Sequence, residues 1–85
     1  MFYYVYILQS LKNNSLYIGY TADLKKRLEE HNSGKNLATK PFRPYKPIFY
    51  EAFLSKKDAK NRELYLKSGW GRRSVDKMLK NFFVS

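Results

Sequence analysis

Phe2-Tyr3-Tyr4-Val5-Tyr6-Ile7-Leu8-Gln9, followed by Leu16-Tyr17-Ile18-Gly19-Tyr20, is the stretch that decides the fold. Aromatic and β-branched residues dominate the first run, which predicts a strand. Apolar side chains fill both of its faces, so it should be covered on both sides. Lys12-Asn13-Asn14-Ser15 is a turn signal, and the second run predicts another strand. So short a connection makes the pair an antiparallel hairpin with Tyr6 and Tyr17 nearly abreast. Gly19 inside its strand points to a bulge or to a close backbone approach.

Working outward, Thr21 is a suitable N-cap and Gly34 a suitable C′ residue. The helix between them is anchored by Leu24 and Leu28, and Arg27 and His31 share a neighbouring stripe at i, i+4. Asn32 to Lys46 reads as a loop, long enough to be functional. Ile48 to Phe53, just after Pro47, predicts a third strand. Ser55 with Asp58 opens the next helix in a capping-box-like arrangement. Ala59, Glu63, Leu66 and Trp70 then form one stripe, and Gly69 and Gly71 stop or kink the helix. A last short helix follows Ser74, with Val75, Met78, Leu79 and Phe82 on one face. There are no repeats or low-complexity tracts, so one domain is expected over residues 1–85.

Eighty-five residues bury roughly 60–65% of their unfolded surface, which leaves one small core. The chain has no cysteine, which excludes disulfides and thiolate zinc sites. No apolar run approaches the ~18 residues of a membrane span. Met1 to Gln9 has neither a basic n-region nor a small-residue cleavage site. A soluble, cytoplasmic protein is expected. Lys and Arg number 17 against 7 acids, a net charge of +10, and only Lys12 among them precedes residue 23. A basic chain rich in Tyr and Phe invites a polyanion, most often nucleic acid. A solvated basic surface is the plainer alternative.

Glu63 is the most conspicuous polar residue. A carboxylate on an apolar stripe costs several kcal/mol unless paired, hydrogen-bonded or bound to metal. An ion pair with a nearby cation, a stripe-edge position reaching solvent, and a hard-cation site such as Mg²⁺ all remain open. The scattered acids argue against a two-metal centre. Arg27 offers a planar fork for phosphate, and His31 a proton carrier near neutrality. Read otherwise, both sit on a solvated helix face. Tyr6 and Tyr17 are ordinary strand residues unless cationic neighbours lower a hydroxyl pKa from about 10.

Tyr4-Val5-Tyr6, ten residues, then Tyr17-Ile18-Gly19 resembles the paired signature of the GIY-YIG nuclease family. The likeness continues through Arg27 and His31, Arg62-Glu63, Leu66-Lys67-Ser68-Gly69 and Gly71-Arg72. It covers roughly residues 3 to 80 and is similar to the short, single-domain members. The resemblance implies an α+β (α/β) fold, a small three-stranded antiparallel sheet flanked by helices. It implies metal-dependent cleavage of a nucleic-acid phosphodiester, DNA more than RNA, with Mg²⁺ or Mn²⁺ as cofactor. Tyr6 and Tyr17 would line the site, with Tyr17 as general base or water orienter. Arg27 would stabilise phosphorane-like charge, His31 would aid proton transfer or phosphate contact, and Glu63 would hold the ion. Lys26, Lys35, Lys40 and Arg43, with Arg62, Lys67 and Arg72, are expected to meet the nucleic acid. The chain departs from the pattern at Tyr4, where the motif has glycine. Asn81 is the one candidate for a family asparagine that follows the glutamate helix. A non-catalytic nucleic-acid-binding module of the same fold is the alternative, and a protein-interaction domain facing an acidic partner is a third reading.

Overall fold

The computed structural model describes all 85 residues, Met1–Ser85. β1 (Tyr3–Ser10) and β2 (Leu16–Thr21) form the expected antiparallel hairpin. Asn14 takes a φ of 63° at its turn, a left-handed conformation that Asn tolerates better than most residues. β3 (Tyr45–Phe53) pairs with the other side of β1, giving the order β2-β1-β3. It starts at Tyr45, earlier than the expected Ile48. Pro47 does not end it because β3 is an edge strand, where a missing N–H can face outward. A register shift between Ile7 and Leu8 absorbs the irregularity.

β1 is central, and Val5 through Leu8 are all buried. Val5 and Ile7 join Ile18, Ala59, Leu66 and Val75 on one face. Tyr6 and Leu8 join Tyr45, with Tyr17, Leu24 and Leu28 packed against them, on the other. The sheet therefore separates α1 (Leu24–Asn32) from α2 (Lys56–Lys67) and α3 (Gly69–Met78). This three-layer α+β arrangement is the one expected, and each face of one strand seeds its own cluster.

Helix boundaries follow local hydrogen bonds. Asp23, not Thr21, caps α1, its carboxylate accepting the Lys26 N–H. Thr21 instead ends β2, and its hydroxyl accepts the Asp23 N–H to fix the corner. Gly34 closes α1 as expected, with φ at 83°. The Gly34 and Lys35 amides donate to the His31 and Glu30 carbonyls, the paired bonds of a Schellman ending. The loop that follows contains a 3₁₀ turn at Lys40–Phe42. Ser55 caps α2 by accepting the Asp58 N–H.

The expected stripe on α2 breaks before Trp70. Ser68 ends α2 and at once caps α3, accepting the Gly71 N–H. Gly69 and Gly71 thus belong to a new helix. Gly71 lets α3 cross α2 backbone to backbone, since a Cβ there would lie 2.5 Å from Leu66 Cα. The corner leaves Ala59 and Leu66 in the core but swings Trp70 out to 72% exposure. Leu79 then interrupts the last helical stretch, and α4 (Lys80–Val84) follows. Val75 is buried and Leu79 packs against the core, whereas Met78 at the end of α3 and Phe82 on α4 are exposed.

Candidate active site

Gly19 forms the floor. It pairs with Tyr6 across the hairpin, and the Tyr6 ring lies so close over it that any Cβ would overlap. Close approach is therefore the reason for this glycine, and the irregularity sits on the β1–β3 ladder instead. Tyr17 pairs with Leu8, so it stands diagonal to Tyr6 on the same face rather than abreast. Their ring centroids are 6.4 Å apart.

The Tyr6 hydroxyl reaches His31, which is fully buried. Tyr6 Oη lies 2.9 Å from His31 Nε2, and His31 Nδ1 lies 2.8 Å from Thr39 Oγ1. Thr39 Oγ1 donates to the Asn36 carbonyl at 3.4 Å. One assignment satisfies every atom. Thr39 has given its proton to Asn36, so it accepts Nδ1–H, which leaves Nε2 bare to accept the Tyr6 proton. His31 is a neutral imidazole in this arrangement. Burial first, and then the Arg27 charge, hold its pKa below the usual histidine value, against a smaller pull from Glu30. Tyr6 is pushed up to about 12, by burial first and then by Tyr17, with Arg27 pulling down and Glu63 adding a little upward. Tyr6 accordingly keeps its proton at neutral pH.

α1 holds His31 in place through its next residue. Asn32 Nδ2 donates to the Tyr45 carbonyl at 3.0 Å, and the Tyr45 N–H donates to Asn32 Oδ1 at 2.7 Å. Arg27, one turn earlier, stands at the rim with Nε donating to Glu30 at 3.1 Å. Arg27 also bears on the Tyr6 hydroxyl, whose pKa its charge and hydrogen bonding pull down. Tyr17 is half-buried, and its ring meets the His31 ring edge-on at 4.8 Å between centroids. Glu63 comes from α2, which packs on β1 and β2. Its side chain is 20% exposed and pairs with Lys67 Nζ at 2.8 Å. Such an i, i+4 pair contributes only about 0.3–0.5 kcal/mol, so Glu63 can exchange partners at little cost.

Of the five expected site residues, Tyr6, Tyr17 and His31 pack against one another, and the charges of Arg27 and Glu63 lie near enough to bear on the Tyr6 hydroxyl. His31 lies inside, with both ring nitrogens engaged. The expected nucleic-acid cations divide. Arg62 is committed to Glu51, at 2.7 Å and 3.4 Å, because Glu51 points from β3 under α2. Lys67 sits on Glu63. Lys35, Lys40 and Arg43 gather near Gly34, over which the Arg43 guanidinium lies. Lys26 borders a hollow with Thr21, Asp23 and Arg27, and Arg72 is exposed on α3. Tyr4 sits within an unbroken β1, its ring edge-on to Tyr50 at 6.0 Å. Asn81 is exposed on α4. Thr39 and Asn32 are the residues that sequence reasoning missed. Asn32 closes α1 and Thr39 lies in the loop after it, and nothing in the local sequence sets either apart.

No three His, Asp or Glu side chains come together to cage a metal. Mg²⁺ does not need a cage, since one or two carboxylates with water and substrate phosphate suffice. Glu63 fits that role: it is a lone, half-buried carboxylate already facing a cation, the Lys67 ammonium.

Residues 2–74 match the GIY-YIG catalytic domain. The chain belongs to the GIY-YIG family. This is a nuclease family, and interaction with nucleic acid goes with it. A UPF0213 protein of Bacillus pumilus (strain SAFR-032) is 41% identical over 75 residues, covering 87% of this chain and 74% of that protein. The UPF0213 protein SH2523 of Staphylococcus haemolyticus (strain JCSC1435) is 41% identical over 91% of this chain and 93% of its own. The solution NMR structure of the UPF0213 protein BH0048 from Bacillus halodurans shares the fold of this GIY-YIG chain, with a TM-score of 0.56 and 34% identity. The likeness covers 92% of this chain and 85% of that one. No helix of the chain is long and apolar enough to cross a membrane.

Proposed function

We propose that this chain is an endonuclease that hydrolyses phosphodiester bonds in DNA, using Mg²⁺ or Mn²⁺. The observation that carries the reading is convergence from all three layers. Tyr6 and Tyr17 of the sheet pack against His31 of α1, and the charges of Arg27 of α1 and Glu63 of α2 lie near enough to bear on the Tyr6 hydroxyl. The net charge of +10 favours a polyanionic substrate.

In this mechanism Arg27 directs its terminal nitrogens at the non-bridging oxygens of the scissile phosphate, a geometry that suits its planar fork. Tyr17 accepts a hydrogen bond from the attacking water and orients it in line. The water oxygen bonds to phosphorus and gives up its proton to bulk solvent, the bond to the leaving oxygen breaks, and that oxygen takes a proton from solvent. His31 and Thr39 act as positioning residues that hold Tyr6, and thereby the floor beneath Tyr17. Glu63 would turn from Lys67 to hold a divalent ion, which would free the Lys67 ammonium for a phosphate. The ion, when bound, lowers the pKa of its water and stabilises charge on the leaving oxygen.

One observation favours a second reading, binding without turnover: Lys67 occupies the Glu63 carboxylate. The deciding assay offers labelled DNA and RNA flaps, junctions, duplexes and single strands with Mg²⁺ or Mn²⁺. Wild type runs beside Glu63→Ala. Wild type should cut and Glu63→Ala should bind without cutting. Cleavage unchanged in Glu63→Ala overturns the assignment, and binding with no cleavage in any divalent metal leaves the second reading.

A further inference from the structure

α3 carries an aromatic and cationic stripe that the proposed site does not use. Trp70, Arg73 and Lys77 recur at i, i+3 and i+7, which places them on one helix face. The Arg73 guanidinium lies 5.2 Å from the indole centroid. Tyr65 of α2 stands beside them, held by a 2.9 Å hydrogen bond between its hydroxyl and Ser74 Oγ. With Lys80 and a single carboxylate, Asp76, these side chains border an open depression of about 600 Å³, within the size range of small-molecule sites.

Three observations select the occupant. Trp70 is 72% exposed, because the Ser68 corner turns it away from the core. The chain's salt bridges involve Arg27, Arg62 and Lys67, so Arg73, Lys77 and Lys80 have no carboxylate partner. An apolar protein partner would have to desolvate those cations, which is costly. A nucleotide meets both halves of the surface, with a base for the indole and phosphates for the cations. A base already stacked within a duplex has no free face to offer.

We propose that this face binds an unpaired nucleotide of a single strand. The base lies against Trp70, and the flanking phosphates meet Arg73, Lys77 and Lys80. The proposal rests on the nucleic-acid half of the reading above, and not on turnover.

Trp70 is the only tryptophan, so indole emission reports on this surface alone. The test titrates the protein at low salt with labelled oligothymidylate and with a blunt duplex. Label anisotropy gives binding, and indole emission gives stacking. The single strand should quench the indole as anisotropy rises. Trp70→Ala should weaken single-strand binding by about tenfold and leave duplex affinity unchanged, with Trp70→Phe intermediate. Lys77→Glu, an exposed substitution, should weaken single-strand binding without disturbing the fold. Binding with unchanged indole emission and an unaffected Trp70→Ala overturns this surface while the nuclease reading stands. No binding of either strand type overturns both. Quenching that persists in a chain that never cuts supports the surface and removes only the nuclease reading.

Discussion

Acid should destabilise this protein through His31, and the relay sets the size of the effect. His31 is the only histidine, so no second imbalance of imidazole charge contributes. In the folded chain its Nε2 accepts the Tyr6 proton, and burial and Arg27 disfavour the charged ring. In the unfolded chain it titrates near 6.5. Below that pH the unfolded state binds a proton that the folded state resists. Stability is therefore fully present above about pH 6.5 and drains as pH falls toward the lowered folded pKa. If the folded ring stays neutral throughout, the loss reaches a ceiling of about 1.4 kcal/mol at pH 5.5 and about 2 kcal/mol at pH 5. Urea unfolding between about pH 8 and about pH 5 measures it. The same series on His31→Gln, whose amide keeps a donor and an acceptor but does not titrate, should be flatter by that amount. NMR of the imidazole provides the second readout. Equal pH slopes in the two proteins, or a folded ring titrating at or above 6.5, would refute the neutral tautomer and with it the hydrogen-bond directions in the relay.

Two further substitutions test other parts of the argument. Arg27→Ala should lower cleavage by on the order of 100- to 1000-fold, as loss of a preorganised charge-stabilising group does. It should also raise the His31 pKa toward its ordinary value, since the Arg27 charge is one cause of the depression; a cleavage assay and the imidazole NMR titration read the two effects separately. Gly71→Ala should destabilise by about 3 kcal/mol, because its methyl would enter the α2 backbone at Leu66. Gly69→Ala is its control: nothing lies within 4 Å of a Cβ there, so thermal unfolding should show no loss of stability.

What was legible in the sequence was local. The hairpin, the Ser55 cap and the Gly34 ending depend on residues a few positions apart, and each formed as expected. Trp70 was misplaced because helical spacing was carried through Ser68, where a serine cap starts a new helix axis. Arg62 counts as a free cation in composition, yet its partner Glu51 comes from β3, and no spacing within α2 announces it. The site shows the same division. Spacing put Arg27 and His31 on adjoining turns, but the stripe could not tell which one turns inward. That depended on Thr39, eight positions beyond His31 and brought back by the loop. The difference matters chemically. An exposed His31 would offer a proton to substrate, whereas a buried one, neutral and bonded at both nitrogens, fixes the Tyr6 hydroxyl instead. The motif positions therefore separate by burial into an inner pair, Tyr6 and His31, and an outer set, Tyr17, Arg27 and Glu63. On the proposed reading only the outer set touches phosphate. Conservative loss of an inner hydrogen bond should then appear first in stability and only secondarily in turnover, while loss of an outer group should do the reverse.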